Sequence, residues 1–177
     1  MKDEGKAIFW ITKAARQGNL DAQRELACAY ASDYGYGATP KDYVRALYWL
    51  TKAAQQGSYL EQYKLGNMYY DGIETQRDRV KAAYWWRNSA KQGSYYAQFS
   101  LGMLYYDGIG VIQSYKFAYI WCGLAATYPV YDPGFSKKRE LAQEIRELSE
   151  KKLSPLQLLE AQEFMSTMQD KFFRSQH

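Results

Sequence analysis

The chain has 177 residues, 47% of them hydrophobic and 24% charged, with a net charge of +4, a pI near 8.9 and a mean hydropathy of −0.57. That balance suits a single soluble domain with a core and excludes a membrane-spanning or a disordered chain. Two cysteines, Cys28 and Cys122, stand 94 residues apart, which excludes a dense disulfide scaffold and any CxxC metal or redox site.

The opening residues, Met1-Lys2-Asp3-Glu4-Gly5-Lys6, carry no apolar run of the kind a secretory signal needs, and the compartment is left open. The first element is a helical phrase, Trp10-x-x-Lys13-Ala14-Ala15-x-Gln17-Gly18. It returns as Trp49-x-x-Lys52-Ala53-Ala54-x-Gln56-Gly57 and as Trp85-x-x-Asn88-Ser89-Ala90-x-Gln92-Gly93. Trp121 continues the series, and the four tryptophans are 39, 36 and 36 residues apart. A period in the mid-thirties is the length of one helix-turn-helix unit, and such units stack into a solenoid whose usual work is to bind another macromolecule.

After each glycine comes a first helix, termed A, with one recurring face at i, i+4, i+8: Ala22, Leu26 and Tyr30; Glu61, Leu65 and Tyr69; Ala97, Leu101 and Tyr105. It is expected to stop at Asp71-Gly72 and Asp107-Gly108, where glycine allows the left-handed conformation. Helix B then carries Ala46, Trp49 and Ala53, or Ala82, Trp85 and Ser89-Ala90, with the tryptophan expected to fill the gap between helices. Between Tyr30 and Trp49 there are 19 positions against 16 in the next two units, so the loop around Asp33 to Pro40 holds a three-residue insertion.

Beyond the Tyr128 to Gly134 loop, Leu141, Ile145 and Leu148 mark an amphipathic helix that begins near Ser136. Ser154-Pro155-Leu156-Gln157 is a capping box, and Leu158, Ala161, Met165, Met168 and Phe172 form the apolar stripe of the helix it opens. Terminal repeats must cover their exposed face, so residues 136–173 are expected to cap the array, with a partner-binding or dimerising helix pair as the alternative.

The string Ala97-x-x-x-Leu101-Gly102-x-x-Tyr105-x-x-Gly108, followed by Ala118-x-x-Trp121 and Ala125-Ala126, resembles the Sel-1-like repeat family, relatives of the tetratricopeptide repeats. Leu65-Gly66, Tyr69, Gly72, Ala82 and Trp85 also match, and the resemblance runs over about residues 7 to 128. Departures are Glu61 in place of Ala, Ala27 in place of Gly, Asn88 in place of Lys, and Pro129 where glycine should open another helix A. The resemblance implies an all-α, right-handed superhelical solenoid that acts as a non-catalytic adaptor or scaffold. The division expected is one domain over 1–177, with an N-terminal helix B at 6–18, repeats at 19–57, 58–93 and 94–129, and the cap. Because the chain opens on a helix B, either further repeats precede residue 1 or this helix is itself a cap.

Positions that change between copies are free of the stacking demand. On helix A they are Leu20, Arg24, Cys28 and Ala31; then Tyr59, Tyr63, Asn67 and Tyr70; then Tyr95, Phe99, Met103 and Tyr106, each set on a narrow stripe at about 100° per residue. In tetratricopeptide-like stacks helix A lines the concave side. The expected contact surface for a protein or peptide is therefore Tyr59, Tyr63, Asn67, Tyr70, Tyr95, Phe99, Met103 and Tyr106 with Arg24, since tyrosine gives large amphipathic contacts at low entropy cost. The competing reading makes the same stripe core, because aromatic residues at helical spacing commonly pack inside.

No catalytic residue, metal ligand or cofactor is expected. The one histidine is His177, the final residue, and there is no Gly-x-Ser-x-Gly elbow, phosphate loop or His-Glu-x-x-His. A single-strand nucleic-acid binder would need clustered Lys and Arg among its aromatics, whereas the stripe contains only Arg24. An adaptor and an immunity protein that neutralises a secreted toxin both need only a shaped surface, and both remain open as forms of protein binding.

Overall fold

The computed structural model describes residues 2–31, 42–73, 75–128 and 132–174. The insertion loop around Asp33 to Pro40, Pro129 and His177 lie outside the described residues. Among the described residues there are nine helices and no strand. Contacts within the chain form two compact units, Met1–Arg77 and Asp78–His177. Each repeat touches chiefly its neighbours, so such an array divides at a joint without breaking a common core.

The first unit holds α1 (Lys2–Arg16), α2 (Leu20–Ala31), α3 (Tyr43–Gln55) and α4 (Tyr59–Asp71). Asn19 Oδ1 accepts from the Ala22 amide at 2.8 Å and Asp42 Oδ1 from the Arg45 amide at 3.0 Å, so a side chain satisfies a backbone donor at the start of α2 and of α3. Gly72 ends α4 at φ 73°, the left-handed conformation expected from the Asp-Gly pair. On the recurring face Leu26 and Leu65 are fully buried, as are Ala53 and Ala54 of α3, with Trp49 at 8%. Trp10 departs from the pattern and stands 60% exposed beside Phe9.

The second unit holds α5 (Arg79–Ala90), α6 (Tyr95–Asp107), α7 (Tyr115–Ala126), α8 (Ser136–Glu150) and α9 (Pro155–Arg174). Asp78 and Ser114 cap α5 and α7, and Gly108 ends α6 at φ 71°. Trp121 is buried as expected of a filler, but on α5 the deep position belongs to Trp86, while Trp85 is only half-buried. A one-residue shift turns a helix by about 100°, so the neighbouring tryptophan takes the inward place. Gly102 lets α6 and α7 meet closely, since a Cβ there would lie 2.4 Å from Cys122 Sγ.

The cap is present, with a correction to its first helix. On α8 the inward residues are Ala142, Ile145 and Ser149, while Leu141 and Leu148 are exposed, because α8 lies close to α7 and small side chains suit that approach. The capping box of α9 is reciprocal: Ser154 Oγ accepts from the Gln157 amide and Gln157 Oε1 from the Ser154 amide. Ala161 and Met165 are buried, and Met165 packs against Gly123 of α7.

A buried glutamine follows the first turn of every helix A. Gln23, Gln62 and Gln98 donate through Nε2 to the carbonyls of Ala15, Ala54 and Ala90 at 3.0, 3.2 and 3.2 Å. These carbonyls lie in the last turns of the preceding helices B and each also accepts from the amide of the turn glycine, Gly18, Gly57 or Gly93, so the side chain adds a second donor there and ties the B-to-A turn. Gln56 in turn donates to Gln23 Oε1 at 2.8 Å and to the Gly18 carbonyl at 2.9 Å. The corresponding position in the last repeat is Tyr128, and Gln98 Oε1 is buried with no hydrogen-bond partner.

Candidate functional site

The variable stripe meets different surroundings in the two units. On α6 it turns inward: Phe99 is only 8% exposed and packs in one cluster with Cys122, Ala125, Phe135, Ala142 and Ile145. Tyr95, Met103 and Tyr106 are half-buried against that cluster. Phe135, which precedes α8, sits edge-on to Tyr95, Tyr96 and Phe99 with ring centroids 4.8, 4.9 and 6.1 Å away. Along α6 the stripe therefore lies against Phe135 and α8.

Two hydroxyls hold the segment before α8 in register. Tyr95 donates to Asp132 Oδ2 at 2.6 Å and Tyr96 to the same oxygen at 2.9 Å, while Asp132 Oδ1 accepts from the Gly134 amide at 2.8 Å. These donors hold the Asp132 carboxyl below its ordinary range, and burial beside that carboxylate pushes the Tyr95 phenol up.

On α4 the stripe is more open. Tyr59 is 52% exposed, and Tyr63, Asn67 and Tyr70 are half-buried. On α2, Arg24 and Leu20 are half-buried while Cys28 and Ala31 are exposed. Between α2 and α4, with Ala46 and Leu50 of α3 as its floor, lies a hollow of about 190 Å³ whose walls include Arg24, Cys28, Ala31 and Met68.

Glu61, the departure from the family's alanine, closes one side of that hollow. It is 1% exposed and accepts from Arg24 Nε at 3.1 Å, from Lys64 Nζ at 3.3 Å and from the Ser58 hydroxyl. Burial opposes its ionisation, but the Ser58 hydrogen bond and the Lys64 and Arg24 charges together outweigh burial and leave the carboxyl below its ordinary range. Arg24 therefore serves an ion pair inside the first unit as well as the stripe. The composition of the stripe gave no sign of this pair, although an acidic residue at a recurring core position was a signal that some cation must reach it.

Both cysteines are free thiols, Cys28 at the surface and Cys122 buried, where desolvation pushes its pKa up to about 12. Among the described residues no group of three His, Cys, Asp or Glu side chains is placed to hold a metal ion, and no helix is long and apolar enough to cross a membrane.

Comparison with known proteins follows the same architecture. A crystal structure of a Sel1 repeat protein from Oxalobacter formigenes is 28% identical, with a TM-score of 0.66 over 78% of this chain and 98% of that one. A protective antigen present in uropathogenic Escherichia coli strains and displaying an SLR fold is 29% identical, with a TM-score of 0.57. The match covers 94% of this chain but only 41% of that protein's length. Helicobacter pylori cysteine rich protein B, at 20% identity and a TM-score of 0.53, shares the fold over 79% of this chain and 95% of its own. No curated protein matches the sequence. The Sel1 repeat matches residues 1–19, 20–58, 62–94 and 96–127, and with that coverage the chain belongs to the Sel1 repeat family.

Proposed function

We propose that this chain is a non-catalytic adaptor or scaffold that binds a protein or peptide on the helix A faces of its first unit. Arg24 on α2 and Tyr59, Tyr63, Asn67 and Tyr70 on α4 supply the contacts. Members of the Sel1 repeat family are generally protein-interaction modules, which supports the class of function. The observation that carries the location is the exposure of Tyr59, 52%, at the start of the α4 stripe, where Phe99 of the α6 stripe is buried in one cluster with Phe135. A partly exposed tyrosine offers apolar area, a hydroxyl and only two side-chain torsions to immobilise, which is why it is frequent in contact surfaces.

Site-specific photo-crosslinking tests this reading. A photoreactive phenylalanine analogue replaces Tyr59 in one version of the protein and Gln55, an exposed residue of α3, in another. Illumination in cells of the native organism is expected to trap a discrete protein adduct from position 59 and none from 55. Equal adducts from both, or none from either, would overturn the assignment.

A further inference from the structure

The hollow between α2 and α4 is a place where the first unit departs from its own repeat. With Leu26 aligned to Leu101 and Trp49 to Trp121, four of the positions around it, Arg24, Cys28, Ala31 and Leu50, correspond to Phe99, Met103, Tyr106 and Cys122 in the last repeat. Those four all belong to the packing around Phe135, a wholly buried ring that the chain itself inserts into the joint. In the first unit the smaller Cys28 and Ala31 leave about 190 Å³ open instead. An apolar cavity of about 150 Å³ is large enough to take up benzene, so the space suits one aromatic ring.

Two cations and two carboxylates stand at its rim. The side chains of Arg24 and Lys64 are 40% and 43% exposed, and both point their charge at the single buried carboxylate of Glu61. Asp21, 88% exposed, also reaches Arg24 at 3.5 Å, a surface pair that an incoming carboxylate displaces without uncovering a buried charge.

We propose that this hollow is a receptor for one aromatic side chain of a partner polypeptide with a carboxylate beside it. The ring takes the place that Phe135 takes in the last repeat, and the carboxylate meets Arg24 and Lys64. This assignment rests on the reading of the chain as a protein-binding module and names the chemistry of what it binds.

Cys28 lies in the wall of the hollow and is exposed, whereas Cys122 is buried, so the rate at which iodoacetamide alkylates Cys28 in the native protein reports occupancy. Phenylacetate, a ring with a carboxylate, is the probe. It is expected to slow alkylation saturably, with half-effect at about 1–10 mM, the range open to a fragment of its size. Acetate and 2-phenylethylamine, which lack the ring or reverse the charge, are expected to be at least about tenfold weaker, the factor that one lost charge contact of ordinary strength gives. Ala31→Tyr, which copies Tyr106, fills the hollow and is expected to abolish the saturable protection. Lys64→Met, on the opposite wall, is expected to erase the preference for phenylacetate over 2-phenylethylamine, and it serves if Ala31→Tyr fails to fold by circular dichroism.

Absence of saturable protection by phenylacetate, equal protection by 2-phenylethylamine, or protection that survives Ala31→Tyr in a folded protein would each overturn the proposal. If phenylacetate fails while position 59 still crosslinks a partner, the receptor assignment alone falls. If phenylacetate protects but no partner is trapped, it is the broader binding surface that falls.

Discussion

The Tyr95 hydroxyl donates to Asp132 Oδ2 at 2.6 Å and so ties the start of α6 to the segment that leads into α8. The carboxylate is held ionised by this bond and by the one from Tyr96, and the phenol is held neutral by burial first and by the carboxylate second. The sign of each linkage follows. A depressed carboxyl contributes stability that is present above its unfolded value of about 4 and is lost as pH falls through the lower folded value. A raised phenol contributes stability that is present below about pH 10 and is lost as pH rises beyond it. The second unit is therefore expected to be most stable between about pH 5 and 9 on this account. Asp132→Asn should melt earlier at neutral pH and lose the acid-side part of the dependence, which thermal melts at pH 3 and pH 7 would show. An unchanged acid limb in the variant would contradict the latch.

Among the helix B tryptophans, burial separates those that hold the fold from those that do not. Trp121→Ala is expected to cost about 3–5 kcal/mol, the range for a buried aromatic, whereas Trp10→Ala, at a 60% exposed site, should change stability by about 0.5 kcal/mol or less. Urea melts of the two variants would decide the matter, and equal losses would contradict the burial pattern.

Close approach of α6 and α7 rests on the missing side chain of Gly102. An added Cβ would meet Cys122 Sγ at 2.4 Å and the Cys122 amide nitrogen at 3.0 Å. Gly102→Ala is expected to lose about 1–3 kcal/mol through overpacking. Cys122→Ala on top of it should return part of that loss, because it removes the nearer atom and leaves the backbone contact. Additive losses in the double variant would show that the two residues do not touch.

The thiols should separate kinetically. Native protein is expected to expose one fast thiol, Cys28, to Ellman's reagent, with Cys122 reacting only after denaturation, since it is buried and its pKa is pushed up to about 12. Two fast thiols in the native protein would place Cys122 outside the core.

Features set by local rules were readable from the residues. Gly72 and Gly108 end their helices, Ser154 and Gln157 cap α9, and Leu26, Leu65 and Leu101 are core, because each depends on helical period or on one turn of backbone. What escaped the reading depends on what packs against a helix. An apolar stripe on α6 reads the same whether a partner or the chain's own cap covers it, and only the fold shows that Phe135 does. On α8 the apolar leucines suggested the inward face, but proximity to α7 favoured Ala142 and Ser149. Asp132 meets Tyr95 across 37 positions, a separation that no local pattern encodes. Gln23, Gln62 and Gln98 did recur with the repeat, so their role as turn ties had a signal in the spacing.

The central claim is that the aromatic stripe of the first unit is a protein contact surface, and Tyr59 is its exposed aromatic residue at 52%. The most direct measurement is the affinity of Tyr59→Ala for the partner trapped by crosslinking, by calorimetry beside Gln55→Ala, with a urea melt of each. The account predicts that Tyr59→Ala loses about 2 kcal/mol of binding, roughly thirtyfold in affinity, while its stability shifts by about 0.5 kcal/mol or less and Gln55→Ala binds as wild type does. Wild-type affinity in a folded Tyr59→Ala protein, or a loss that appears equally in Gln55→Ala, would contradict it.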